Sequence, residues 1–289
     1  MNTTILSILL GVGGMFGWGI YDFLGGVFAK QIGPFKSLFW SQLAGLISVF
    51  LLALVSTISV NVSILAVILS AIAAMIYAAG YLFFFRGFEI GNVSIVAATM
   101  NLWAVFTMLF AFIFLGQRLS TVQTVGALMI ISGATLASLD WSDIRNQRFK
   151  LSAGVKEAIL GAFFFGVFWN ISEIVSEQIG WLSTTLFVKF GIILSLLVFS
   201  FLVKREISMS KAAAQTKSMV VLMGIIEAGA VALVNYGLTI GDAILITPIA
   251  SALSIVTITL AIIFLKDKVS KPQGFGIVMA IVGIIVTAF

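Results

Sequence analysis

The sequence predicts an all-α, polytopic membrane protein: ten transmembrane helices in two inverted five-helix repeats around a central cavity. Three observations carry this. The 289 residues are 61% hydrophobic and 9% charged, against roughly 25% charged for a soluble domain, so the chain cannot cover a water-facing surface. Ten apolar runs approach the ~20 residues that a helix needs to cross about 30 Å of hydrocarbon. A W-x-I-x-[D/E] pattern occurs twice, from Trp18 to Asp22 and from Trp169 to Glu173.

The runs lie at about 5–28, 37–57, 63–85, 93–115, 120–139, 154–176, 183–203, 218–238, 244–265 and 272–289. They are read as helices because lipid-exposed backbone must satisfy its own hydrogen bonds, and the alternation of a membrane barrel is missing. The first run has no basic segment before it and no small-residue cleavage pattern leading to a polar domain. It is therefore expected to be a span and not a cleaved signal. Interior glycines, as in GVGGMFGWG, suit close helix approach.

Charge gives orientation. Lys30, Lys36, Arg86, Arg145, Arg148, Lys150, Lys204, Arg205, Lys211, Lys217, Lys266, Lys268 and Lys271 fall on odd-numbered connections, and Lys156 opens the sixth span. Those are 14 of the 16 Lys and Arg; Arg118 is on an even connection and Lys189 is inside a span. The bias puts odd connections in the cytoplasm and both termini outside. A pI near 9.6 is thereby explained. Nucleic acid is not an expected partner, because no soluble basic face exists to bind it. The expected location is the inner (plasma) membrane of a prokaryotic cell.

Cysteine and histidine are both absent. No disulfide can form, the commonest general base and proton shuttle is missing, and no metal or cofactor is expected.

An internal duplication is legible. LGQRLSTVQTVG at 115–126 lies over LKDKVSKPQGFG at 265–276, with Leu, Ser, Gln and Gly coinciding at 115/265, 120/270, 123/273 and 126/276. The same shift of 150 places Ile90-Gly91 on Ile240-Gly241; a shift of 151 superposes the W-x-I-x-[D/E] motifs; a shift of 147 superposes Gln31-Ile32-Gly33 on Gln178-Ile179-Gly180. Chance similarity of apolar runs explains matching Leu and Ile better than matching Trp, Gln and Gly. The expected units are residues 1–139 and 154–289, with DWSDIRNQRFKLSA at 140–153 as a basic polar linker. Five spans per copy would invert the second copy, as in many secondary transporters, whose site lies near the midplane between halves.

WGIYDFLGG, a basic-Gly-Pro connection, and then IGNVSIVAATMNLWAVFTMLFAFIFLGQRLSTVQTVGALMIISG resemble the EamA-type members of the drug/metabolite transporter superfamily. The family's FLGERLS-x-x-Q-x-x-G-A appears here as FLGQRLSTVQTVGA, so Gln117 replaces an acidic residue, and Lys266-Asp267-Lys268 replaces Gly-Glu-Lys/Arg. The resemblance implies ten helices around a central cavity, transport of small metabolites or drugs, and kinship with small multidrug-resistance proteins that carry a coupling carboxylate on their first helix.

Beyond Glu157, in the opening turn of the sixth run, three acids lie within spans: Asp22, Glu173 and Glu227. A carboxylate at a helix centre in lipid costs about 2.5–3.5 kcal/mol on insertion scales, so such residues face a bundle interior and mark function by default. A carboxylate held there can take up a proton and release it when water or a cation arrives, which makes these three the proton-coupling candidates. Residues four apart share a helix face. Trp18 with Asp22, Trp169 with Glu173, Glu227 with Asn235, and Tyr77 with Tyr81 form stripes, and Asn101 and Asn170 add amides. A chamber walled by Trp and Tyr with acids and amides inside is the expected binding site.

Plainer roles compete. The aromatic residues fit bundle packing or interface anchoring, and Asp22 fits a water-exposed structural acid. Glu173 can pair with Lys189, since both lie a similar distance from the same outer connection. Glu227 has no basic partner evident in sequence and so is the first candidate for titration. Pro248 is expected to kink or break the ninth span, and Arg86 and Glu89 to form a solvated pair.

The expected activity is secondary-active transport, in the export direction, of a small-molecule solute through the lipid bilayer by alternating access, driven by protons or by the solute gradient. Protein partners are not legible. A lipid or lipid-linked-sugar flippase is the alternative. An intramembrane aspartyl protease built on Asp22 and Asp242 is more remote, because the two acids differ in depth. No catalytic residue is assigned.

Overall fold

The computed structural model describes residues 3–56, 62–90, 96, 99–138, 153–265 and 270–287. Every regular element among them is helical: α1 Thr3–Ile32, α2 Pro34–Val55, α3 Ile64–Ile90, α4 Leu102–Phe114, α5 Thr121–Ser138, α6 Val155–Ile179, α7 Trp181–Val203, α8 Ala214–Leu238, α9 Ala243–Ser251, α10 Leu253–Leu260 and α11 Lys271–Val286. Seven runs among the described residues are long and apolar enough to cross a membrane, namely α1, α2, α3, α6, α7, α8 and the combined stretch Ala243–Phe264; α4, α5 and α11 contribute shorter apolar helices. Most of the linker 140–153, the opening of the fourth run, and Lys266-Asp267-Lys268 lie outside the described residues.

Local chemistry sets the ends. Gly33 (φ 89°) precedes Pro34 at the start of α2, and Gly180 (φ 79°) separates α6 from α7. Only glycine takes such positive φ without strain, so each hinge lets two helices meet with almost no loop. The repeated Ser-x-x-Gln is a capping box in both places. Ser120 N–H donates to Gln123 Oε1 while Gln123 N–H donates to Ser120 Oγ, both at 3.1 Å. Ser270 and Gln273 repeat the exchange at the start of α11. Two orphan helix donors are satisfied at each site, which is a physical reason for the sequence match. Pro248 lies within α9, and the run breaks at Ala252 before continuing as α10 and a π-helical turn, Ala261–Leu265.

Packing runs across the two halves of the chain. Helix α1 packs on α8 and α6 on α3; α8 packs on α2 and α3 on α7; α5 packs on α11 and α2 on α7. Several contacts come in reciprocal sets. A Cβ at Gly133 would meet the Gly276 carbonyl at 2.6 Å, and a Cβ at Gly126 would meet the Gly283 carbonyl at 2.9 Å. Positions 126 and 276, and 133 and 283, are related by the 150-residue shift, so each contact is the other's mate and the helices run antiparallel. Small residues allow this approach. Replacing Gly133 with leucine forces the pair apart. It should cost about 1–3 kcal/mol in overpacking strain, read as a lower unfolding midpoint of the purified protein in detergent. A Gly274→Leu control, where a Cβ meets nothing within 4 Å, should change little.

The two ends of the bundle differ. At one end Lys36 pairs with Glu206 at 2.8 Å, Trp40 Nε1 donates to Ile207 O at 2.6 Å and Thr216 Oγ1 donates to Gln31 Oε1 at 3.1 Å. These bonds join the α1–α2 and α7–α8 connections. The Lys36 ammonium holds the Glu206 carboxyl below the usual carboxylate range. Whatever this exposed pair contributes is therefore present at neutral pH, is lost as pH falls through that lowered value, and is screened by salt. Arg86 and Glu89 form the expected exposed pair, at 2.8 Å. The opposite end gathers Gln117, Glu173 and the start of α9.

Candidate functional site

The deepest polar cluster lies where α2, α3, α7 and α8 meet. Lys189 stands on α7 and Glu227 midway along α8, both with no exposed side-chain surface, and they form a direct ion pair. Lys189 Nζ also donates to Gln42 Oε1 on α2 at 2.7 Å, and Tyr77 on α3 donates its hydroxyl to Glu227 Oε1 at 2.5 Å. The ammonium lies 5.9 Å from the centre of the Tyr77 ring, which adds a cation–π contact. Charge is thus matched and surrounded by hydrogen bonds, the condition under which ions persist in a low-dielectric interior. On α1, the Tyr21 hydroxyl approaches Ser41 Oγ at 3.2 Å, and Ser41 donates in turn to Leu38 O at 2.9 Å. Gln42 Nε2 faces the same tyrosine but makes no hydrogen bond among the described residues.

This cluster corrects two expectations. Lys189 pairs with Glu227 and not with Glu173, and Glu227 is not without a basic partner. Equal distance from a connection fixes depth along a helix, but the direction around the helix axis decides which neighbour a side chain meets. Lys189 faces α2 and α8, whereas the Glu173 carboxylate turns toward the end of the bundle.

An aromatic wall adjoins the cluster. Trp18 (α1), Trp103 (α4) and Trp169 (α6) form a triangle with ring centres 5.2–6.2 Å apart. Phe168 links Trp169 to Tyr77 through centroid distances of 4.7 Å on either side. Tyr81 packs on Tyr77 and Phe165, at 4.9 Å from each, and on Tyr21 at 6.1 Å. All these rings are buried, so the described conformation holds the wall closed. Sequence reasoning missed Trp103, Tyr21 and Gln42. A usable signal existed for Gln42: adding the 147-residue shift to 42 gives 189, its partner.

Glu173 belongs to a second constellation. Gln117 Nε2 donates to both Glu173 oxygens at 2.8 Å, Ala243 N–H donates to Glu173 Oε1 at 3.0 Å, and Ile244 N–H donates to Gln117 Oε1 at 3.1 Å. Asp242, the residue before α9, makes no side-chain cap. Gln117 and Glu173 supply that cap from two other elements, and the carboxylate sits at the positive end of the α9 dipole. Gln117 also accounts for the departure from the acidic residue of the FLGERLS pattern, because a glutamate there would set a second carboxylate against Glu173.

The remaining predicted residues separate. Asp22 is half-buried on α1 with no hydrogen bond among the described residues, though it feels the Glu227 charge. Asn170 donates its amide to Thr107 O (3.2 Å) and Gly166 O (2.8 Å), so it serves the α4–α6 seam. Asn235 bonds Ser172 (2.8 Å) and Thr185 (2.9 Å) and ties α6, α7 and α8 together. Among the described residues, Asn101, buried just before α4, has no hydrogen bond on Nδ2, and Trp18 has none on Nε1.

Apolar helix faces outside and a sealed polar centre inside define an integral, multi-pass membrane protein. The chain belongs to the EamA-like transporter family, whose profile matches it twice, over residues 5–139 and 152–289. It is thus a membrane transporter of the drug/metabolite superfamily, with a small-molecule solute as cargo and lipid as surroundings. No curated protein matches it. A crystal structure of another protein aligns over 97% of this chain and 95% of its own with a TM-score of 0.79. At 17% identity, that likeness shows the fold alone.

Proposed function

We propose that the chain is a secondary-active transporter in which two inverted five-helix units, residues 1–139 and 154–289, alternate access to a midplane site with Lys189, Glu227, Gln42 and Tyr77 at its centre. One observation carries the reading: the central cluster is built from repeat-related positions touching each other. Tyr77 and Glu227 differ by the 150-residue shift, and Gln42 and Lys189 by 147. Residues that meet their own repeat mates lie on the axis relating the copies, and two units rocking about that axis would expose it to either side. Ten spans, odd connections in the cytoplasm and both termini outside are part of the proposal. The pairing of the first with the seventh connection at one end, and of Gln117 with α9 at the other, supports that parity. The Trp triangle supports a flat, partly apolar solute, and export is the direction assigned. Proton coupling, where present, would involve Glu227, Asp22 or Glu173.

The test is flux. Purified protein in proteoliposomes should move at least one radiolabelled amino acid, nucleobase, sugar or dye saturably, with and without a pH gradient, and Trp169→Ala should slow that solute about tenfold or more. Scrambling of fluorescent lipid without solute flux would replace the reading with a flippase.

A further inference from the structure

We propose that Glu227 is an internal stand-in for the solute, and that the central site takes an anionic acceptor group, a carboxylate or a phosphate, which replaces Glu227 on Lys189 as Glu227 takes up a proton. The inference deepens the transport reading above and rests on it.

The polar groups at the centre are unevenly matched. Gln42 Nε2 and Trp18 Nε1 are buried N–H donors with no hydrogen bond among the described residues, although Gln42 faces the Tyr21 hydroxyl. Gln42 is bonded to Lys189, and Trp18 belongs to the aromatic wall that runs through Trp169 and Phe168 to Tyr77. The orphan acceptor nearby, Asn170 Oδ1, belongs to the α4–α6 seam. Buried donors without partners are uncommon in a finished interior. A solute bearing an acceptor would fill the want; one bearing only donors would add to it. The strongest donor present, the Lys189 ammonium, is held by a carboxylate of the protein's own.

Charge balance dictates the proton. Lys189 and Glu227 sum to zero. An incoming anion would leave a net negative charge in a buried site, at a cost of several kcal/mol in a low-dielectric interior. If Glu227 takes a proton from solvent as the path opens, the sum returns to zero, and the neutral acid can still accept from the Tyr77 hydroxyl. The other titratable groups facing Glu227 are Lys189 on α7, Tyr77 and Tyr81 on α3, and Tyr21 and Asp22 on α1. None of the tyrosines supplies a negative charge at neutral pH. Solute and proton would therefore load and leave together, so export would run on the solute's own outward gradient, and the carrier loaded with a monoanion would be electroneutral at the Lys189–Glu227 pair.

The experiment uses the full chain in detergent, with benzoate, phenyl phosphate, benzamide and benzylamine as shape-matched probes. Binding is read from quenching of the Trp fluorescence, and proton uptake from a pH indicator in weakly buffered solution. The expected result is binding of benzoate with uptake of about one proton per protein, or of phenyl phosphate with uptake of about 1.5–2, the excess going to the phosphate itself, which carries roughly −1.5 to −2 at neutral pH, and no binding of benzylamine. Which anion binds separates the carboxylate from the phosphate source. Glu227→Gln should bind the anion about tenfold more tightly and with about one proton fewer taken up, because its competitor is gone. Lys189→Gln/Glu227→Gln, which removes both charges and so stays folded, should bind neither anion. Binding of benzamide or benzylamine as strong as that of benzoate, no binding of any probe, or benzoate-linked proton uptake that survives Glu227→Gln would overturn the proposal. Flux of a neutral or cationic solute in proteoliposomes would then leave the transport reading standing, whereas no flux of any solute would remove both.

Discussion

Lys189→Met should destabilise the protein by about 3–5 kcal/mol, because it leaves the fully buried Glu227 carboxylate without its counter-charge. Tyr77 remains as a donor, but one hydroxyl cannot replace an ammonium in a low-dielectric interior. The companion variant Lys189→Met/Glu227→Gln should recover most of the loss. The glutamine keeps an acceptor for Tyr77, and a methionine stem of similar length fills the lysine's path between α2 and α8. Thermal unfolding in a mild detergent, followed by size-exclusion recovery after heating, checks both. The decisive quantity is the difference between single and double variants. If the two are equally destabilised, the charges do not depend on each other and the ion pair is incidental. If the double variant recovers stability yet moves no solute, the pair is retained for function, since the fold can do without it.

The helices were legible because lipid imposes length and composition on each of them. The predicted boundaries of α5, α7 and α11 agree with the structure to within about three residues, the scatter usual for helix ends. Gly33-Pro34 and the paired Ser-x-x-Gln stops were readable as turn and cap chemistry. Side-chain direction was less accessible. A shift of 150 places Glu227 on Tyr77, but nothing in a one-dimensional alignment says that two equivalent positions touch. That follows only when the copies pack about an axis passing between them. The same omission misassigned Lys189, whose partner lies on α8, the next helix in sequence, and not on α6. Asn170 and Asn235 looked like chamber residues because amides are rare in apolar helices, yet each bonds a neighbouring helix. An amide in lipid needs a partner whether or not a solute is present, so its occurrence alone does not separate seam from site. Unpaired donors such as Gln42 Nε2 are more informative, and they become visible only in three dimensions.

Glu173→Leu should unfasten one end of the bundle. The carboxylate accepts from Gln117 and from Ala243 N–H, and the leucine accepts from neither. A buried donor left unmet costs about 1–3 kcal/mol. Gln117 lies on a connection and can turn to water, whereas the Ala243 N–H is tied to the start of α9. The cheapest relief is therefore for α9 to move away from α6, which the break at Ala252 allows. Each 1.4 kcal/mol shifts a closed-to-open equilibrium about tenfold, so the open fraction should rise by that order. The natural chain has no cysteine, so a single reporter needs no background removed. Ser176, buried on α6 near Glu173 with a hydroxyl that makes no hydrogen bond among the described residues, suits the purpose. Ser176→Cys should react slowly with a membrane-impermeant maleimide and about tenfold faster when combined with Glu173→Leu. Glu173→Gln, which keeps an acceptor for Ala243 N–H, should fall between them. Equal labelling of all three would mean that this hydrogen-bonded corner merely fixes helix geometry, and the alternating-access reading would have to place its barrier elsewhere.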